Sequence, residues 1–303
     1  PMEIRRRIDA ALEKSGAEIM IIEIGGTVGE YENLLFLEAA RVMKLYNPKD
    51  VLFVMVSYLP VPKKIGEMKT KPTQHAVRSL NSAGIQPDFL IARSEQPIDN
   101  ERKEKLAIHC NVAIADVIAA PDADSIYDIP LNFEKENLGS RILEKLNLPV
   151  RNREPKNEAW KKFVNASKSG KRSVDIGIVG KYFATGNFNL TDSYISVIES
   201  VKHAAAANHC KVNLHWLSAE EVEKKGVSVL KGMDGLIIPQ GWGGRGAEGK
   251  IAAIKYCREK KIPYFGLCYG MQMAVIEFAR NVAGLKDANS AEVNPKTSNP
   301  VIH

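Results

Sequence analysis

Apolar residues in the first half of the chain recur with two alternating periods. Short runs that are almost wholly apolar predict strands, and runs with apolar residues at helical spacing predict helices. The predicted strands are 17–24, 50–59 and 88–93, and the predicted helices are 33–46 and 72–84. Pro72 and Gly84 are typical of a helix start and a helix end. Because strands alternate with helices, we expect a parallel sheet with crossover helices.

The second half repeats this alternation after an interruption at 151–172, a segment of Arg, Lys, Asn and Ser that predicts a linker. The elements predicted beyond it are strands at 173–180, 211–217, 234–241 and 262–266 and helices at 191–208 and 247–261. We therefore predict an α/β fold with two doubly wound, mostly parallel-sheet domains, at 1–150 and 173–303, joined by a basic linker at 151–172.

Composition and charge narrow the class of protein. A chain of 303 residues with 45% apolar and 26% charged residues suits about two globular domains. The net charge of +6 is concentrated in 151–172, where eight basic residues stand against two acidic ones. The rest of the chain is balanced, so we expect no nucleic-acid partner.

Two absences from the sequence also bear on localisation. No apolar run reaches the ~18 residues of a membrane helix, so we expect no membrane partner. The four cysteines form no CxxC pair, which predicts neither a zinc site nor a disulfide framework. A reducing cytoplasm fits this pattern best.

One cysteine lies between two glycines where a predicted strand meets a predicted helix. Gly266 ends the strand, and Cys268 and Gly270 lead into helical spacing. This is the layout of a nucleophile elbow, whose helix N-terminus stabilises a thiolate and an oxyanion. A core cysteine in a glycine-rich turn remains the alternative for this motif alone.

A second glycine-rich loop, 239–250 (PQGWGGRGAEGK), also follows a predicted buried strand. The carboxyl ends of parallel strands share one edge of the sheet, where ligands bind. The backbone N–H groups of this loop can complete an oxyanion hole beside Cys268. The two loops together favour a catalytic cysteine.

The two loops resemble those of the class I glutamine amidotransferases, through GLCYGMQ and PQGWGGRGAEGK. GIVGKY, SVIESVKHA and ANSAE resemble the variant of that domain in the CTP synthase family. The resemblance implies that Cys268 is a nucleophile that forms a thioester with glutamine. It also implies a set of residues around the glutamine and its oxyanion, namely Gly241, Tyr269, Gly270, Met271, Gln272 and Glu292.

The chain departs from the amidotransferase pattern at two positions. Gln-Gly-Trp-Gly occupies 240–243, where Gly-Gly-Phe-Gly is usual, and Tyr269 follows the cysteine, where leucine is common. The histidine and glutamate that activate the thiolate in that family lie further along than His303, which we do not assign to the role.

Two stretches of the first half have the chemistry of a nucleotide site. Glu23 precedes two glycines near the end of a predicted buried strand, and a buried carboxylate is costly unless it is paired or binds a cation. This favours a Mg²⁺ ligand, with a loop-capping role as the alternative. Lys69 and Lys71 precede a predicted helix N-terminus, an arrangement suited to a triphosphate, although such a pair on its own is more often a solvated surface.

EIGGTVGEYE, KTKPTQH, GIQPDFLIARSE, KLAIHCNV and DADSIYDIP resemble the P-loop-type synthetase domain of the CTP synthase family, in family order. The resemblance implies Mg²⁺ at Glu23. It implies contacts to UTP, or to CTP as feedback inhibitor, from Glu30, Tyr31, Glu32, Lys69, Thr70, Lys71, Pro72, Thr73, Gln74 and Lys105. It places the ATP base near Pro121, Asp122 and Ala123. Glu30-Tyr31-Glu32 stands where Asp-Ile-Glu is usual.

The family resemblance implies a ligase reaction in which ATP phosphorylates the 4-oxygen of UTP and ammonia from glutamine displaces the phosphate. It implies a homotetramer, with GTP as activator. We expect the chain to be an internal fragment with both domains truncated, whose phosphate loop precedes Pro1 and whose activating histidine follows His303. The alternative for such a fragment is a non-catalytic nucleotide-binding or assembly module.

Overall fold

The computed structural model describes residues 1–149, 157–181, 184–185, 188–189 and 191–303. The chain forms two compact units, Pro1–Lys156 (unit 1) and Asn157–His303 (unit 2). None of the helices in these described ranges is long and apolar enough to cross a membrane.

Unit 1 has a three-stranded sheet in the order β1-β2-β3, and both strand pairs are parallel. Its strands are β1 (Val54–Tyr58), β2 (Phe89–Ser94) and β3 (Val117–Pro121). Its helices are α1 (Met2–Ser15), α2 (Leu34–Tyr46), α3 (Lys71–Ser82), α4 (Asn100–Cys110), α5 (Ile129–Lys135) and α6 (Leu138–Lys145). The predicted alternation of parallel strands and helices is confirmed here.

The middle strand of this sheet carries the core of unit 1. Phe89 and Leu90 of β2 are fully buried and belong to apolar clusters on opposite faces of the strand. At the edge, β1 leaves Val54 and Val56 exposed. Helix α3 begins with Pro72 in its first turn, as predicted, and Gly84 follows its end with a left-handed φ of 76°.

The strand predicted at 17–24 is wrong. This segment is neither helix nor strand, and the side chain of Ile21 is 93% exposed. An apolar run becomes a strand only when its backbone N–H and C=O groups find a partner strand, and none of the described strands pairs with it. Glu23 is consequently exposed, and the predicted cost of a buried carboxylate does not arise.

Unit 2 is built on a four-stranded parallel sheet in the order β7-β4-β8-β9. Its strands are β4 (Arg172–Gly180), β5 (Ala184–Thr185), β6 (Phe188–Asn189), β7 (Cys210–Ser218), β8 (Gly235–Ile238), β9 (Tyr264–Gly266), β10 (Asn289–Ser290) and β11 (Pro300–Ile302). Its helices are α7 (Glu158–Lys168), α8 (Ile195–Ala207), α9 (Ala219–Lys225), α10 (Ala247–Lys260) and α11 (Tyr269–Asn281). The α/β fold class predicted for this half is confirmed.

Helix α7 occupies half of the segment predicted as a linker, at Glu158–Lys168. Trp160, Phe163 and Val164 stand at helical spacing within the basic run and form an apolar face. The Phe163 ring contacts the ring of His203 on α8 edge-on, with centroids 5.0 Å apart, and Val164 is buried. Residues 150–156 of the predicted linker lie outside the described part of the chain.

Helices α10 and α11 pack together beside β8 and β9 and carry both glycine-rich loops at their N-termini. An ion pair ties the two helices, since Arg258, whose side chain is 36% exposed, donates to the buried carboxylate of Glu277 at 2.9 Å. Removal of Arg258 would leave a buried carboxylate without its partner, which is costly. The helices therefore fix the spacing of the two loops.

Candidate active site

The structure places Cys268 at a strained turn between β9 and α11. Its backbone has φ 51° and ψ −103°, a conformation that is rarely adopted by a residue with a side chain, and the residue is exposed. Strain of this kind persists only where the surroundings enforce it, and it is common at active sites. The turn is the elbow predicted from the sequence, and the role of nucleophile stays a prediction.

Two glycines enforce the turn through close backbone contacts. A Cβ on Gly270 would overlap the carbonyl oxygen of Ile238 at the end of β8. A Cβ on Gly266 would lie 2.7 Å from the carbonyl carbon of Gly270. The hydroxyl of Tyr264 donates to the carbonyl of Gly270 at 2.6 Å. No larger residue fits at either glycine without moving the backbone.

The second glycine-rich loop leaves the sheet beside the elbow, as predicted. Ile238, which precedes this loop, is the register partner of Gly266, and the N–H of Leu267 donates to the carbonyl of Ile238 at 2.9 Å. A Cβ on Gly241 would lie 3.8 Å from the ring of Tyr269. Gly241 thus packs against the side chain of the residue that follows Cys268, beside the elbow where the sequence predicts an oxyanion hole.

Glu292 reaches the same loop from a distant part of the sequence. The N–H of Gly243 donates to the Glu292 carboxylate at 2.7 Å, and the hydroxyl of Tyr269 donates to the carbonyl of Gly243 at 2.6 Å. Gly243 is therefore held from both sides. The loop that carries Glu292 lies between β10 and β11, and Asp287 accepts hydrogen bonds from Ser298 and Asn299 across it. These bonds lower the pKa of Asp287.

The other predicted glutamine contacts are less constrained. Met271 is 53% exposed on the first turn of α11. Gln272 is half-buried, and its side chain makes no hydrogen bond to any residue in the described ranges. Trp242, at the departure from the family pattern, is 68% exposed. Met271 and Trp242 thus lie exposed beside the elbow, where a ligand would contact them.

Two lysines that the sequence analysis did not single out lie against Tyr269. The ammonium of Lys181 donates to the carbonyl of Trp242 and lies 5.4 Å from the centroid of the Tyr269 ring. The ammonium of Lys250 lies 4.8 Å from the same centroid. Burial, together with the charge of Lys181, lowers the pKa of Lys250 to about 8. A signal was present in the sequence, because Lys250 shares the buried helix face of Ala247 and Ile254.

In unit 1, four of the ten predicted UTP contacts line one cavity of about 190 Å³, namely Lys69, Thr70, Lys71 and Lys105. Four cations and two carboxylates are part of its wall, which leaves an excess of positive charge suited to phosphate groups. The residues that line it are Glu67, Met68, Lys69, Thr70, Lys71, Glu101, Arg102 and Lys105. Arg102 was not singled out from the sequence, and it donates to the carbonyl of Met68 at 3.3 Å.

Lys105, and not its neighbour Lys103, faces this cavity. Lys103 is paired with Glu136 at 2.7 Å, and both line a different cavity of about 480 Å³ that contains none of the predicted site residues. Because Lys103 already has an anionic partner, Lys105 is the better match to the predicted nucleotide contact.

The first turn of α3 presents buried polar groups next to the cavity. The hydroxyls of Thr73 and Ser57 are 2.8 Å apart, and the amide nitrogen of Gln74 donates to the Thr70 hydroxyl at 3.2 Å. The other polar atom of Gln74, Oε1, is buried without a hydrogen-bond partner in the described ranges. A buried acceptor without a partner is rare in folded proteins and is typical of a ligand site.

The structure does not bring the remaining predicted residues to that cavity. Glu30, Tyr31 and Glu32 lie on an exposed turn that precedes α2, and none of them lines it. Pro121 ends β3 and is followed by exposed Asp122 and Ala123.

Asp122 accepts a hydrogen bond from Arg93 at 2.9 Å, which fixes the start of that loop. Within the described ranges, no group of three or more His, Cys, Asp or Glu side chains could hold a metal ion.

Two family models match the chain in order along its length. The model of the CTP synthase N-terminus matches residues 2–148, and the model of the class-I glutamine amidotransferase matches residues 189–302. The two units thus define a synthetase domain followed by a glutamine amidotransferase domain. The chain belongs to the CTP synthase family, as the sequence predicted.

Curated relatives align with nearly the whole chain. The CTP synthase of Methanocaldococcus jannaschii is 50% identical over 295 residues, which cover 95% of this chain and 53% of that protein. The CTP synthase of Thermococcus gammatolerans is 49% identical over 286 residues, which cover 94% and 52%. That of Pyrococcus furiosus is 48% identical over 301 residues, which cover 99% and 54%. The chain spans about half the length of these relatives, and they do not favour the alternative of a non-catalytic module.

Proposed function

We propose that the intact protein carrying this chain is a ligase that makes CTP from UTP, ATP and glutamine. The observation that carries the proposal is the exposed thiol of Cys268, held in a strained turn at the start of α11 and beside the loop of Gly241. A structural cysteine needs neither the strain nor the exposure.

In the amidotransferase half, the Cys268 sulfur attacks the side-chain amide carbon of glutamine. The carbonyl oxygen becomes an oxyanion, which the N–H groups of Gly241 and Tyr269 stabilise together with the N-terminus of α11. Collapse of this intermediate expels ammonia and leaves a thioester, which water hydrolyses to glutamate and the free thiol. We assign no general base, because in the described ranges no histidine hydrogen-bonds to Cys268.

In the synthetase half, the cavity between α3 and α4 holds the phosphates of UTP, or of CTP as feedback inhibitor. Lys69, Lys71 and Lys105 supply the charge, and the N-terminus of α3 adds the partial positive charge of its helix dipole. Its volume of about 190 Å³ suits phosphate groups and is too small for a whole nucleotide.

In the same half, the base of ATP lies near Pro121–Ala123. ATP transfers its γ-phosphoryl group to the 4-oxygen of UTP and becomes ADP. Ammonia then attacks the ring carbon that carries this oxygen, and phosphate leaves with the oxygen.

Mg²⁺ is part of this proposal with Glu23 as one ligand. A single exposed carboxylate fits that role only in part, since Mg²⁺ at phosphoryl-transfer sites takes one or two carboxylates and completes its shell with phosphate oxygens and water. When bound, the ion would neutralise charge on the transferring phosphoryl group. The proposal also includes activation by GTP, a homotetramer and a cytoplasmic location.

Replacement of the nucleophile tests the proposal. In the intact protein, Cys268→Ala should abolish CTP formation from glutamine and leave CTP formation from added ammonia close to the parental rate. Cys210→Ala, at the start of β7, is the matched control and should change neither. Equal loss of both activities in Cys268→Ala, or loss of neither, contradicts the proposed function.

A further inference from the structure

Among the described residues of unit 2, Lys250 is a charged residue in an unusual environment. Its side chain has 0% relative exposure, and its ammonium has no hydrogen-bond partner in the described ranges. An ammonium taken out of water without a partner is costly, whereas an apolar side chain of the same length would fill the space without that cost. The surrounding helix face is apolar, with Ile251 and Ile254 buried in the same cluster. Packing alone therefore gives no reason for a lysine.

The position of the ammonium relates it to the candidate oxyanion site. It lies 4.8 Å from the centroid of the Tyr269 ring, and Tyr269 directly follows Cys268. It also lies 3.5 Å from the point that a Cβ on Gly241 would occupy. The ammonium thus lies beside Gly241 and beside the Tyr269 ring, that is, next to one residue from each of the two segments that would hold an oxyanion.

We propose that Lys250 is a positioning residue of the glutamine-hydrolysing site. Its buried ammonium steadies the ring of Tyr269 and supplies positive potential to the anion that forms between Gly241 and the elbow. This inference rests on the proposed function, and it adds a residue that acts without touching glutamine. A charge without a counter-ion in the resting protein gains one when the oxyanion develops, so it stabilises the transition state more than the ground state.

A purely structural role makes a different prediction. If the ammonium were retained for its contact with the aromatic ring, its removal would lower stability. If it is retained for function at a cost to the fold, its removal should leave the fold equally stable or more stable while activity falls. Measuring both the stability and the activity of a variant without this ammonium therefore separates the two roles.

Other charged and titratable groups surround the site and enter its pH dependence. Burial lowers the pKa of Lys250, and the positive charge of Lys181, which directly follows β4, lowers it further by repulsion. Tyr269 faces Lys250 from α11. Glu223 of α9 accepts from the N–H of Gly249, and Glu292 accepts from the neighbouring loop. Neither carboxylate hydrogen-bonds to the ammonium of Lys250.

The test compares Lys250→Met, which keeps the length of the side chain and removes the charge, with Lys255→Met on the exposed face of the same helix. In the intact protein we expect Lys250→Met to lose about tenfold or more in kcat/KM for glutamine hydrolysis. We expect its thermal unfolding midpoint to be equal to or above that of the parent. CTP formation from ammonia should be unchanged, and Lys255→Met should match the parent in every assay.

A second readout reports the electrostatic effect directly. The rate of Cys268 alkylation by iodoacetamide at neutral pH reports the reactivity of the thiol, and loss of a nearby positive charge should lower that rate by about threefold or more. Parental activity and a parental alkylation rate in Lys250→Met overturn the inference. So does a loss of activity that comes with a lowered unfolding midpoint and a parental alkylation rate.

Two further comparisons keep the test decisive. If Lys250→Met does not fold, the inference can be tested on the parent protein by itself. Its kcat/KM for glutamine should fall as the pH passes about 8, because Lys250 then loses its charge. A plateau that continues well above that pH contradicts it. Cys268→Ala is assayed beside these variants. Retained glutamine hydrolysis in Cys268→Ala removes the proposed function and this inference with it, whereas parental activity of Lys250→Met with inactive Cys268→Ala removes this inference alone.

Discussion

The candidate residues of unit 2 are held by neighbours in the same unit, whereas several of those in unit 1 lie on an open segment. Around Cys268, two glycines, the hydroxyl of Tyr264 and the carbonyl of Ile238 leave the backbone one conformation. Glu23, by contrast, lies on an exposed stretch that pairs with no described strand. The elbow is therefore preorganised, while Glu23 lies on backbone that no described strand holds in place.

The phosphate cavity of unit 1 is held less firmly than the elbow and more firmly than the segment of Glu23. Its lysines are exposed or half-buried, but they project from the start of α3 and from α4, which are packed on the sheet. The comparison indicates that placement on a packed element, more than burial of the side chain itself, decides how well a site residue is positioned.

The largest effect should come from a methyl group at the elbow. Because a Cβ on Gly270 would overlap a backbone carbonyl that cannot move away, Gly270→Ala should destabilise unit 2 by more than about 3 kcal/mol, measured by chemical denaturation. The matched control lies in the open segment. No heavy atom lies within 4 Å of the Cβ position on Gly25, so Gly25→Ala should change stability by less than about 0.5 kcal/mol. Similar losses in both variants would remove the contrast between the regions.

The next effect is a pH dependence of stability in unit 2. The pKa of Lys250 is about 8 in the folded protein and 10.5 for the free group, so the unfolded chain holds the proton more tightly. Stability should therefore rise between these two pH values, by at most about 3 kcal/mol. Below pH 8 the cost of the buried charge is fully present.

Denaturant unfolding at a series of pH values measures this slope. Lys250→Met should lack it, and Lys255→Met should keep it. An identical slope in the parent and in Lys250→Met would show that another group is responsible.

At the phosphate cavity, Lys71→Met should weaken UTP binding by about tenfold or more, because a charge-assisted hydrogen bond to phosphate is lost. Calorimetric titration measures the change, which should shrink as salt is raised. Lys63→Met, an exposed lysine outside the cavity wall, is the control. Equal binding by both variants would mean that this cavity does not hold the phosphates.

The smallest effect concerns the bond between the elbow and the second loop. Tyr269→Phe removes the hydrogen bond to the carbonyl of Gly243 and should cost about 1 kcal/mol of stability. Tyr256→Phe, on the half-buried side of α10, is the control because its hydroxyl makes no such bond in the described ranges. A cost in Tyr256→Phe as large as that in Tyr269→Phe would show that loss of the hydroxyl, and not of this bond, lowers stability.

The regular elements and the elbow could be predicted because their signals are local. Apolar period and glycine position specify a strand, a turn and a helix within about 20 residues, and the structure forms them. The segment 17–24 could not be predicted in the same way. An apolar run has the same pattern whether or not a partner strand is present, so its pattern does not reveal an unpaired backbone.

The remaining errors have two different physical origins. Helix α7 was overlooked although Trp160, Phe163 and Val164 carry helical spacing, because the surrounding lysines and arginines dominate the composition. Lys250 was overlooked because a charge in a helix is usually solvated, although its helical spacing from Ala247 and Ile254 places it on the buried face of α10. Contacts between distant segments, such as Glu292 with Gly243, leave no local signal at all.

Covalent labelling of the intact protein tests the role of the elbow most directly. An electrophilic glutamine analogue should modify one cysteine, Cys268, and glutamine should protect it. Cys110, Cys210 and Cys257 should stay unmodified, as read by peptide mass spectrometry. An adduct on any of those three, or an unlabelled Cys268 under conditions in which the protein hydrolyses glutamine, would contradict the account.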